Sequence, residues 1–237
     1  MNVLSLFAGI GGLDLGLERA GMSVVGQVEI DPFCQRVLAK HWPEVPRHDD
    51  VRTAVEWWLG GARPAVDVVC GGFPCQPVSV AGRRGAQHDA RWLWPAFADV
   101  VRGVRPRYVV VENVVGLVTA GLGDVLGDLA ALGFDADWSV LSACAVGAPH
   151  SRERLFVVAY PAGKRRERGR VAAHAGAQPV AGQGPVEVHH WRLEDRPGLE
   201  RVVDGIPSRL DRIRALGNAV VPQVAEHIGR LVMGAAA

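Results

Sequence analysis

The sequence lacks several features by which common protein classes are recognised. Its 237 residues include only four cysteines, without a Cys-x-x-Cys spacing and without histidines spaced to match them. This pattern argues against a zinc site and against a disulfide framework, so we expect no metal and a reducing, cytoplasmic location. No apolar run approaches the roughly 18 residues of a transmembrane helix, and residues 1–4 lack the basic charge of a signal peptide. We therefore expect a globular protein that has no membrane partner.

An excess of charge of one sign is also missing from the chain as a whole. The formal net charge is +1, which by itself does not indicate a polyanionic partner. The charge is unevenly distributed, however, because residues 164–170 carry five positive charges and one negative charge. Basic residues that neutralise phosphates supply most of the non-specific affinity of a protein for DNA. Because lysine occurs only at Lys40 and Lys164, a solvated loop in an arginine-rich protein is the alternative explanation.

The order of apolar and polar residues predicts an α/β fold. Up to about residue 160, predicted strands alternate with predicted helices, which is typical of a doubly wound, mostly parallel sheet that binds ligands at the carboxyl ends of its strands. The predicted strands lie near residues 2–6, 23–28, 66–70, 108–111, 137–141 and 155–159, and the predicted helices include 33–41, 94–104, 123–132 and 222–233. Residues 161–190 are instead rich in Gly, Ala, Gln and Pro, which predicts irregular structure.

The N-terminal segment predicts a strand, a glycine turn and a helix. The turn, residues 7–12, would let backbone N–H groups approach a ligand closely at a helix N-terminus. The next predicted strand leads to Glu29, whose carboxylate can accept hydrogen bonds from both hydroxyls of a ribose. A dinucleotide dehydrogenase would need a third glycine where Asp14 stands. The pattern therefore favours a nucleoside ligand without a pyrophosphate, such as S-adenosylmethionine.

A cysteine follows another apolar run, in a turn punctuated by glycine and proline. Within residues 71–79, Cys75 occupies the position expected for a nucleophile at the end of a buried strand. A free thiol is only a few per cent ionised near neutral pH, so a reactive cysteine needs positive charge nearby, which Arg83, Arg84 and Arg91 would supply. The alternative is that Cys75 is a small buried hydrophobic residue.

Seven short segments resemble, in the same order, the motifs of the DNA (cytosine-5)-methyltransferase family in its bacterial or phage type. The glycine turn is similar to the family's first cofactor motif, and Pro74-Cys75-Gln76 lies in a segment similar to its nucleophile motif. The segments are residues 7–12, 29–31, 49–51, 72–76, 111–114, 147–154 and 217–222. The chain differs from the usual pattern at Ser5, where many members have Asp. It also has His150 in place of the usual Gln, which would make the hydrogen bond carried there sensitive to pH.

The resemblance implies an S-adenosylmethionine-dependent methyltransferase fold in three parts. We expect a catalytic and cofactor-binding domain over residues 1–160 and a C-terminal segment over 205–237 that returns to that domain. Between them, residues 161–204 stand in place of the family's target-recognition domain and are short for that role. We expect the protein to be a monomer.

The chemistry implied by the resemblance is methyl transfer from S-adenosylmethionine to carbon 5 of a cytosine flipped out of DNA. Cys75 would add to carbon 6 of the base, and Glu112, when protonated, would donate a hydrogen bond to ring nitrogen 3. Arg154 would hold the exocyclic oxygen, and Arg152 would support the wall of the site. Outside this order of motifs, Glu112 is an acid at a strand end and the arginines form a surface run.

The resemblance also implies two sets of binding residues. The cofactor would contact Phe7, Ala8, Gly9, Gly11, Gly12, Glu29, Ile30, Asp50, Val51, Asn218 and Val220. DNA would contact Gln76, Ser79, Arg83, Arg84, Arg165, Arg166 and Arg168. Local sequence suggests another role for Asp50, as the N-cap of a helix over residues 52–58. We expect Trp92 and Trp94 to be packing residues rather than base-stacking residues.

Two alternative functions remain open at this stage. A tRNA cytosine-5 methyltransferase on the same fold would share the Pro-Cys-Gln and Glu-Asn-Val motifs, although the Gly-Gly-Phe before Pro74 and the segment 217–222 favour DNA. A catalytically silent DNA-binding relative is disfavoured by the three catalytic side chains, but the short region 161–204 is consistent with it. The family suggests a restriction–modification setting for the enzyme.

Overall fold

Strands and helices alternate along the chain in a computed structural model that describes residues 1–74, 92–148, 150–163 and 209–236. The strands are β1 (Asn2–Leu6), β2 (Ser23–Val28), β3 (Arg47–His48), β4 (Val68–Gly71), β5 (Tyr108–Asn113), β6 (Phe134–Ser142) and β7 (Glu153–Pro161). The helices are α1 (Gly12–Arg19), α2 (Pro32–His41), α3 (Ala54–Leu59), α4 (Trp94–Val104), α5 (Leu117–Ala120), α6 (Leu122–Ala131), α7 (Arg209–Asn218) and α8 (Pro222–Ala236). Short 3₁₀ turns form at Val51–Thr53 and Ala143–Val146.

The strands of these ranges form one sheet in the order β3-β2-β1-β4-β5-β7-β6. The five strands from β3 to β5 pair in parallel, which confirms the prediction of a mostly parallel, doubly wound sheet. β7 runs antiparallel to both β5 and β6, a reversal that the sequence analysis did not predict. The reversal has a simple cause: the short connection from β6 to β7 suits an antiparallel pair, whereas a parallel pair needs a longer crossover.

Each face of the sheet buries its own apolar core. Along β5, Val109 and Val111 face one core, and Val110 faces the other, as the alternation of side chains along a strand requires. Helices α3, α4 and α6 cover the first face with large side chains such as Phe97. Helices α1 and α8 cover the second face, where Leu17 lies in the core. The carboxyl edge of the parallel strands is left free of these layers, and the candidate site lies there.

The last helix lies against the first. A Cβ placed on Gly16 of α1 would stand 2.3 Å from the Cβ of Ala225 in α8, so only glycine permits this approach. At the start of α1, a Cβ on Gly12 would stand 2.3 Å from the carbonyl oxygen of Val220. The chain that leads into α8 is therefore held directly against the glycine turn.

Some element bounds differ from the predictions. β4 begins at Val68 rather than at residue 66, and β6 begins at Phe134 rather than at residue 137. The sequence analysis did not predict β3 and α5, because elements of two and four residues are too short to show a period. None of the helices in the described ranges has the length and apolar character needed to cross a bilayer.

Candidate active site

The glycine turn after β1 has an uncommon backbone conformation. Gly9 and Gly11 have φ angles of 56° and 82°, in the left-handed region that glycine adopts without steric cost. Phe7 also has a positive φ, 53°, which is rare for a residue with a side chain. The Ala8 N–H donates to the carbonyl oxygen of Val28 at 3.1 Å, which ties the turn to the end of β2. The turn is therefore fixed at the carboxyl edge of the sheet, where α/β folds bind ligands.

Glu29 lies directly beside this turn. Its carboxylate accepts one hydrogen bond from the Gly9 N–H at 2.7 Å and another, on the second oxygen, from the Asp31 N–H at 2.8 Å. Burial raises the pKa of the Glu29 carboxyl group, and the two N–H donors oppose that rise. Each carboxylate oxygen has a second lone pair, so the pair of oxygens can accept two further donors, as a ribose diol would provide.

The residues predicted to contact adenine differ in exposure. Ile30 is 67% exposed and presents a large apolar side chain to solvent, whereas Val51 is buried in the core. Asp50 caps the 3₁₀ turn that follows it, because its Oδ1 accepts a hydrogen bond from the Arg52 N–H at 2.9 Å. The capping role considered for Asp50 is therefore confirmed, although the cap begins a 3₁₀ turn rather than an α-helix.

The ends of β4 and β5 meet where the nucleophile motif and the Glu-Asn-Val motif lie. Gly72 follows β4, and a Cβ placed on it would stand 2.6 Å from Oε2 of Glu112 in β5. Glycine at this position therefore leaves room for the carboxylate. Glu112 is 7% exposed, and burial raises the pKa of its carboxyl group to about 7 despite the opposing charges of Arg154 and Arg152. Near neutral pH, a substantial fraction of this group is protonated and can donate a hydrogen bond.

Two arginines at and just before the start of β7 complete this cluster. Nε of Arg154 lies 3.1 Å from Oε1 of Glu112, an ion-pair distance without the alignment of a hydrogen bond. Nε and Nη2 of Arg152 are buried and have no hydrogen-bond partner among the described residues. Burial, together with the nearby charge of Arg154, lowers the pKa of the Arg152 guanidinium. Because a buried polar atom without a partner is costly, the unpaired Nε and Nη2 of Arg152 point to a polar ligand.

A small pocket opens between the arginines and the chain that leads into α8. Its lining residues are Leu141, Arg152, Arg154, Phe156, Val220, Val221 and Val224. Val220, a predicted cofactor residue, therefore lies near both the arginines and Gly12. Asn218, the last residue of α7, is exposed to solvent. The structure thus brings the arginine motif and the last motif together with the glycine turn.

Several predicted site residues lie outside the described ranges. They are Cys75, Gln76, Ser79, Arg83, Arg84, Arg165, Arg166 and Arg168. After β4 ends at Gly71, the described chain continues to Pro74, and Cys75 is the next residue in the sequence. His150 is described and exposed, and its Nδ1 accepts a hydrogen bond from the Arg152 N–H at 3.4 Å. The histidine that replaces the usual glutamine thus contacts the backbone of a site arginine.

Asn113 and the network of Asp14, Ser5 and Gln27 are buried polar residues for which the sequence predicted no role. Asn113 is 4% exposed and belongs to the Glu-Asn-Val motif, which was sufficient signal to include it. Asp14 is fully buried, and its carboxylate accepts hydrogen bonds from Ser5 Oγ at 2.5 Å and Gln27 Nε2 at 2.7 Å. The available signal for this network was the position of three polar residues within the predicted strands and helix of the N-terminal unit.

Comparison with known proteins identifies the family. A family model described as C-5 cytosine-specific DNA methylase matches residues 1–188 of the chain. The Type II methyltransferase M.HgiCII of Herpetosiphon aurantiacus is 37% identical over 166 residues, which cover 65% of this chain and 36% of that protein. The Type II methyltransferase M.AquIA of Picosynechococcus sp. is 33% identical over 181 residues, which cover 69% of this chain and 73% of that protein.

A solved structure shows the same fold. A prophage-encoded protein of E. coli described as a DNA modification methyltransferase matches with a TM-score of 0.58 and 28% identity, over 68% of this chain and 47% of that one. The chain thus spans little more than a third of M.HgiCII and less than half of the E. coli protein. The family model nevertheless matches well over half of the chain and includes the glycine turn, Glu29, Glu112 and both arginines. The chain belongs to the C-5 cytosine-specific DNA methylase family.

Proposed function

We propose that this protein transfers a methyl group from S-adenosylmethionine to carbon 5 of cytosine in DNA. The observation that carries the proposal is the cluster of Glu112, Arg152 and Arg154 around the exit of β4. A Cβ placed on Gly72 would stand 2.6 Å from Oε2 of Glu112, and Nε of Arg154 lies 3.1 Å from Oε1 of the same carboxylate. Nε and Nη2 of Arg152 are buried without a hydrogen-bond partner among the described residues. Such a cluster fits a base that offers two acceptors, a ring nitrogen and a carbonyl oxygen.

The glycine turn and its neighbours fit the methyl donor. Glu29 would accept hydrogen bonds from the ribose hydroxyls, and the exposed side chain of Ile30 would cover a face of the adenine. The backbone of residues 8–12, with Phe7 on one side and Val220 on the other, would surround the rest of the molecule, with Asn218 near its methionine end. Asp50 and Val51 would also contact the adenine. When bound, S-adenosylmethionine supplies an electrophilic methyl group.

The chemistry at the base follows from the poor nucleophilicity of carbon 5 in cytosine. The Cys75 thiolate adds to carbon 6, and the electron pair of the 5,6 double bond becomes available at carbon 5. Glu112 in its protonated form donates a hydrogen bond to ring nitrogen 3, which relieves the charge that develops on the ring. Arg154 binds the exocyclic oxygen, and Arg152 holds the wall behind it. After methylation, loss of the carbon 5 proton and release of Cys75 restore the double bond.

The base must leave the duplex to reach this site. Flipping a base costs a few kcal/mol, which contacts in the pocket and with the backbone offset. We assign phosphate and strand contacts to Gln76, Ser79, Arg83 and Arg84, and to the basic run Arg165, Arg166 and Arg168. Residues 161–204 would recognise the target between a catalytic domain over 1–160 and a returning segment over 205–237. The enzyme would act as a monomer in the cytoplasm, and its Type II relatives suggest a restriction–modification setting.

The test is methyl transfer by the purified protein to duplex DNA, with base-resolution mapping of methylcytosine. We expect 5-methylcytosine within a defined sequence, and none with Cys75→Ala, whose affinity for S-adenosylmethionine should stay within a few-fold. DNA that contains 5-fluorocytosine should trap an adduct at Cys75, because fluorine replaces the carbon 5 proton and cannot leave as that proton does. Transfer to tRNA but not to DNA would replace the proposed substrate. Turnover by Cys75→Ala, or no transfer to either nucleic acid, would contradict the proposal.

A further inference from the structure

Two aromatic rings join the ends of the chain segment that carries Cys75. Phe73 stands two residues before the cysteine, and Trp92 stands at the entry to α4. Their ring centroids are 5.2 Å apart at an interplanar angle of 84°, the edge-to-face arrangement that aromatic pairs prefer. Phe73 is 2% exposed, so its ring is part of the core. The Phe73 ring before this segment is therefore packed against the Trp92 ring after it.

The position of Trp92 depends on a glycine in another element. A Cβ placed on Gly121, between α5 and α6, would stand 2.6 Å from Cη2 of the Trp92 ring. The φ angle of Gly121 is 170°, which lies outside the left-handed region that favours glycine. Glycine is therefore needed at this position for the space that the ring occupies, and not for backbone freedom.

Trp94 fixes the other side of the Phe73 ring. Trp94 is 1% exposed, its ring lies 5.5 Å from that of Phe73, and its Nε1 donates a hydrogen bond to Asp128 Oδ2 at 2.8 Å. The buried position of Trp94 confirms that it is a packing residue. Trp92 is only half-buried. Among the described residues, its ring is positioned by the contact with Phe73 and by the close approach to Gly121.

A displaced Phe73 ring would disturb the site directly. The Phe73 carbonyl oxygen accepts a hydrogen bond from Asn113, the residue after Glu112. The preceding residue, Gly72, lies against Glu112, because a Cβ placed on it would stand 2.6 Å from Oε2 of that carboxylate. The ring of Phe73 therefore sets where the backbone passes Glu112 before it reaches the nucleophile.

We propose that Trp92, seated over Gly121, is a positioning residue that holds Phe73 and thereby fixes the backbone that leads from β4 past Glu112 toward the nucleophile Cys75. The proposal rests on the proposed function, because it takes Cys75 as the nucleophile. Trp92 itself is not among the residues assigned to the base or to the methyl donor. Its effect therefore falls on the rate of the chemical step and not on the affinity for S-adenosylmethionine.

The test compares Gly121→Ala with Gly127→Ala. Both add one methyl group, but a Cβ on Gly127 in α6 meets nothing within 4 Å. We expect Gly121→Ala to lower kcat about tenfold or more, since a misplacement of roughly 1 Å can cost about 10²-fold, and to leave KM for S-adenosylmethionine unchanged. Gly127→Ala should match the wild type. Adding Trp92→Phe to Gly121→Ala should restore most of the rate, because the smaller ring leaves room for the methyl group.

A second measurement separates this proposal from the proposed function. Mass spectrometry can follow alkylation of Cys75 by iodoacetamide, with the exposed Cys144 as the internal reference. We expect Gly121→Ala to change the Cys75-to-Cys144 ratio of rates, and Gly127→Ala to leave it unchanged. If the wild type methylates no cytosine, the proposed function fails, and the alkylation ratio still decides the role of Trp92. Should Gly121→Ala not fold, a comparison of Trp92→Phe with Trp92→Ala tests the same contact. The proposal would be overturned if the two variants of either pair had equal kcat values and equal ratios of alkylation rates.

Discussion

The side-chain amide of Asn113, the last residue of β5, donates a hydrogen bond to the backbone carbonyl oxygen of Phe73 at 3.0 Å. The bond is buried, and the amide oxygen of Asn113 accepts a second hydrogen bond from the Val114 N–H at 2.9 Å. The amide nitrogen therefore joins the ends of two neighbouring strands, and the bond to the adjacent Val114 N–H holds the amide in this orientation. One strand leads to the proposed nucleophile, and the other carries the proposed acid, Glu112.

Asn113→Ala should cost stability and activity together. The change leaves the buried Phe73 carbonyl oxygen without its donor, a loss of roughly 1–3 kcal/mol in the free energy of unfolding. Urea denaturation measures this loss, and methyl transfer at saturating substrate measures the effect on kcat. Asn2→Ala is the matched control, because Asn2 Nδ2 donates to the Ala65 carbonyl oxygen at 2.8 Å in an exposed position far from the site. Similar losses of kcat in both variants would contradict a specific role for Asn113.

Glu112 should make activity fall as the pH rises above neutrality. Burial raises the pKa of its carboxyl group to about 7, and the proposed donor is the protonated form. The fraction of active enzyme therefore declines as the pH rises through about 7. We expect kcat/KM of the wild type to show this alkaline decline, measured in buffers of constant ionic strength. Glu112→Gln should be slower and should lack the decline, since an amide does not titrate. An unchanged alkaline decline in Glu112→Gln would assign the titration to another group.

The parts of the fold that the sequence predicts are those with a local period. The strands at residues 2–6 and 23–28 and the helix at 94–104 match the structure at both ends. The reversed direction of β7 was beyond prediction, because the apolar alternation of a strand has no direction. The same holds for β3, since two residues show no alternation at all.

The motifs indicate proximity within one local unit of the fold, whereas contacts between distant residues leave no trace in the local sequence. The motifs place Glu29 beside the glycine turn, because both lie within one strand-helix-strand unit. The contact of Asn113 with Phe73 joins residues that are 40 positions apart, and no local pattern reports it. The dependence of Trp92 on the space at Gly121 is a packing relationship, which only the folded structure reveals.

Glu29→Ala should weaken binding of S-adenosylmethionine by roughly 1–3 kcal/mol. The variant removes the proposed acceptor of the ribose hydroxyls and also frees the N–H groups of Gly9 and Asp31. Titration calorimetry measures the affinity in the absence of DNA. Glu44→Ala serves as the control, because Glu44 is exposed in the connection between α2 and β3. Wild-type affinity in a folded Glu29→Ala protein would mean that the nucleoside binds elsewhere.

Asp14 should make the folded state less stable as the pH rises. The residue is fully buried between α1 and the sheet, and its carboxyl group has no cation among the hydrogen-bond partners found in the described ranges. Burial raises its pKa from 3.8 to about 6, with a smaller contribution from Glu18, while the hydrogen bonds from Ser5 and Gln27 oppose the rise.

The sign of the effect follows from proton linkage. Between pH 4 and 6, the folded protein holds a proton on Asp14 that the unfolded chain has released. The stability contributed by Asp14 is therefore fully present below about pH 4 and is lost as the pH rises through about 6, with a total of about 3 kcal/mol. Asp14→Asn removes the titration and keeps the size of the side chain. Urea denaturation at several pH values between 4.5 and 7.5 measures the difference in unfolding free energy between the two proteins.

We expect that difference to shift in favour of the wild type as the pH falls. Glu29 and Glu112 also have raised pKa values, but both proteins contain them, so their contributions cancel in the difference. Asp124→Asn is the control for the chemical change, because Asp124 is exposed in α6. A constant difference for Asp14→Asn would show that Asp14 keeps its charge in the folded protein, stabilised by Ser5 and Gln27 more strongly than burial opposes it.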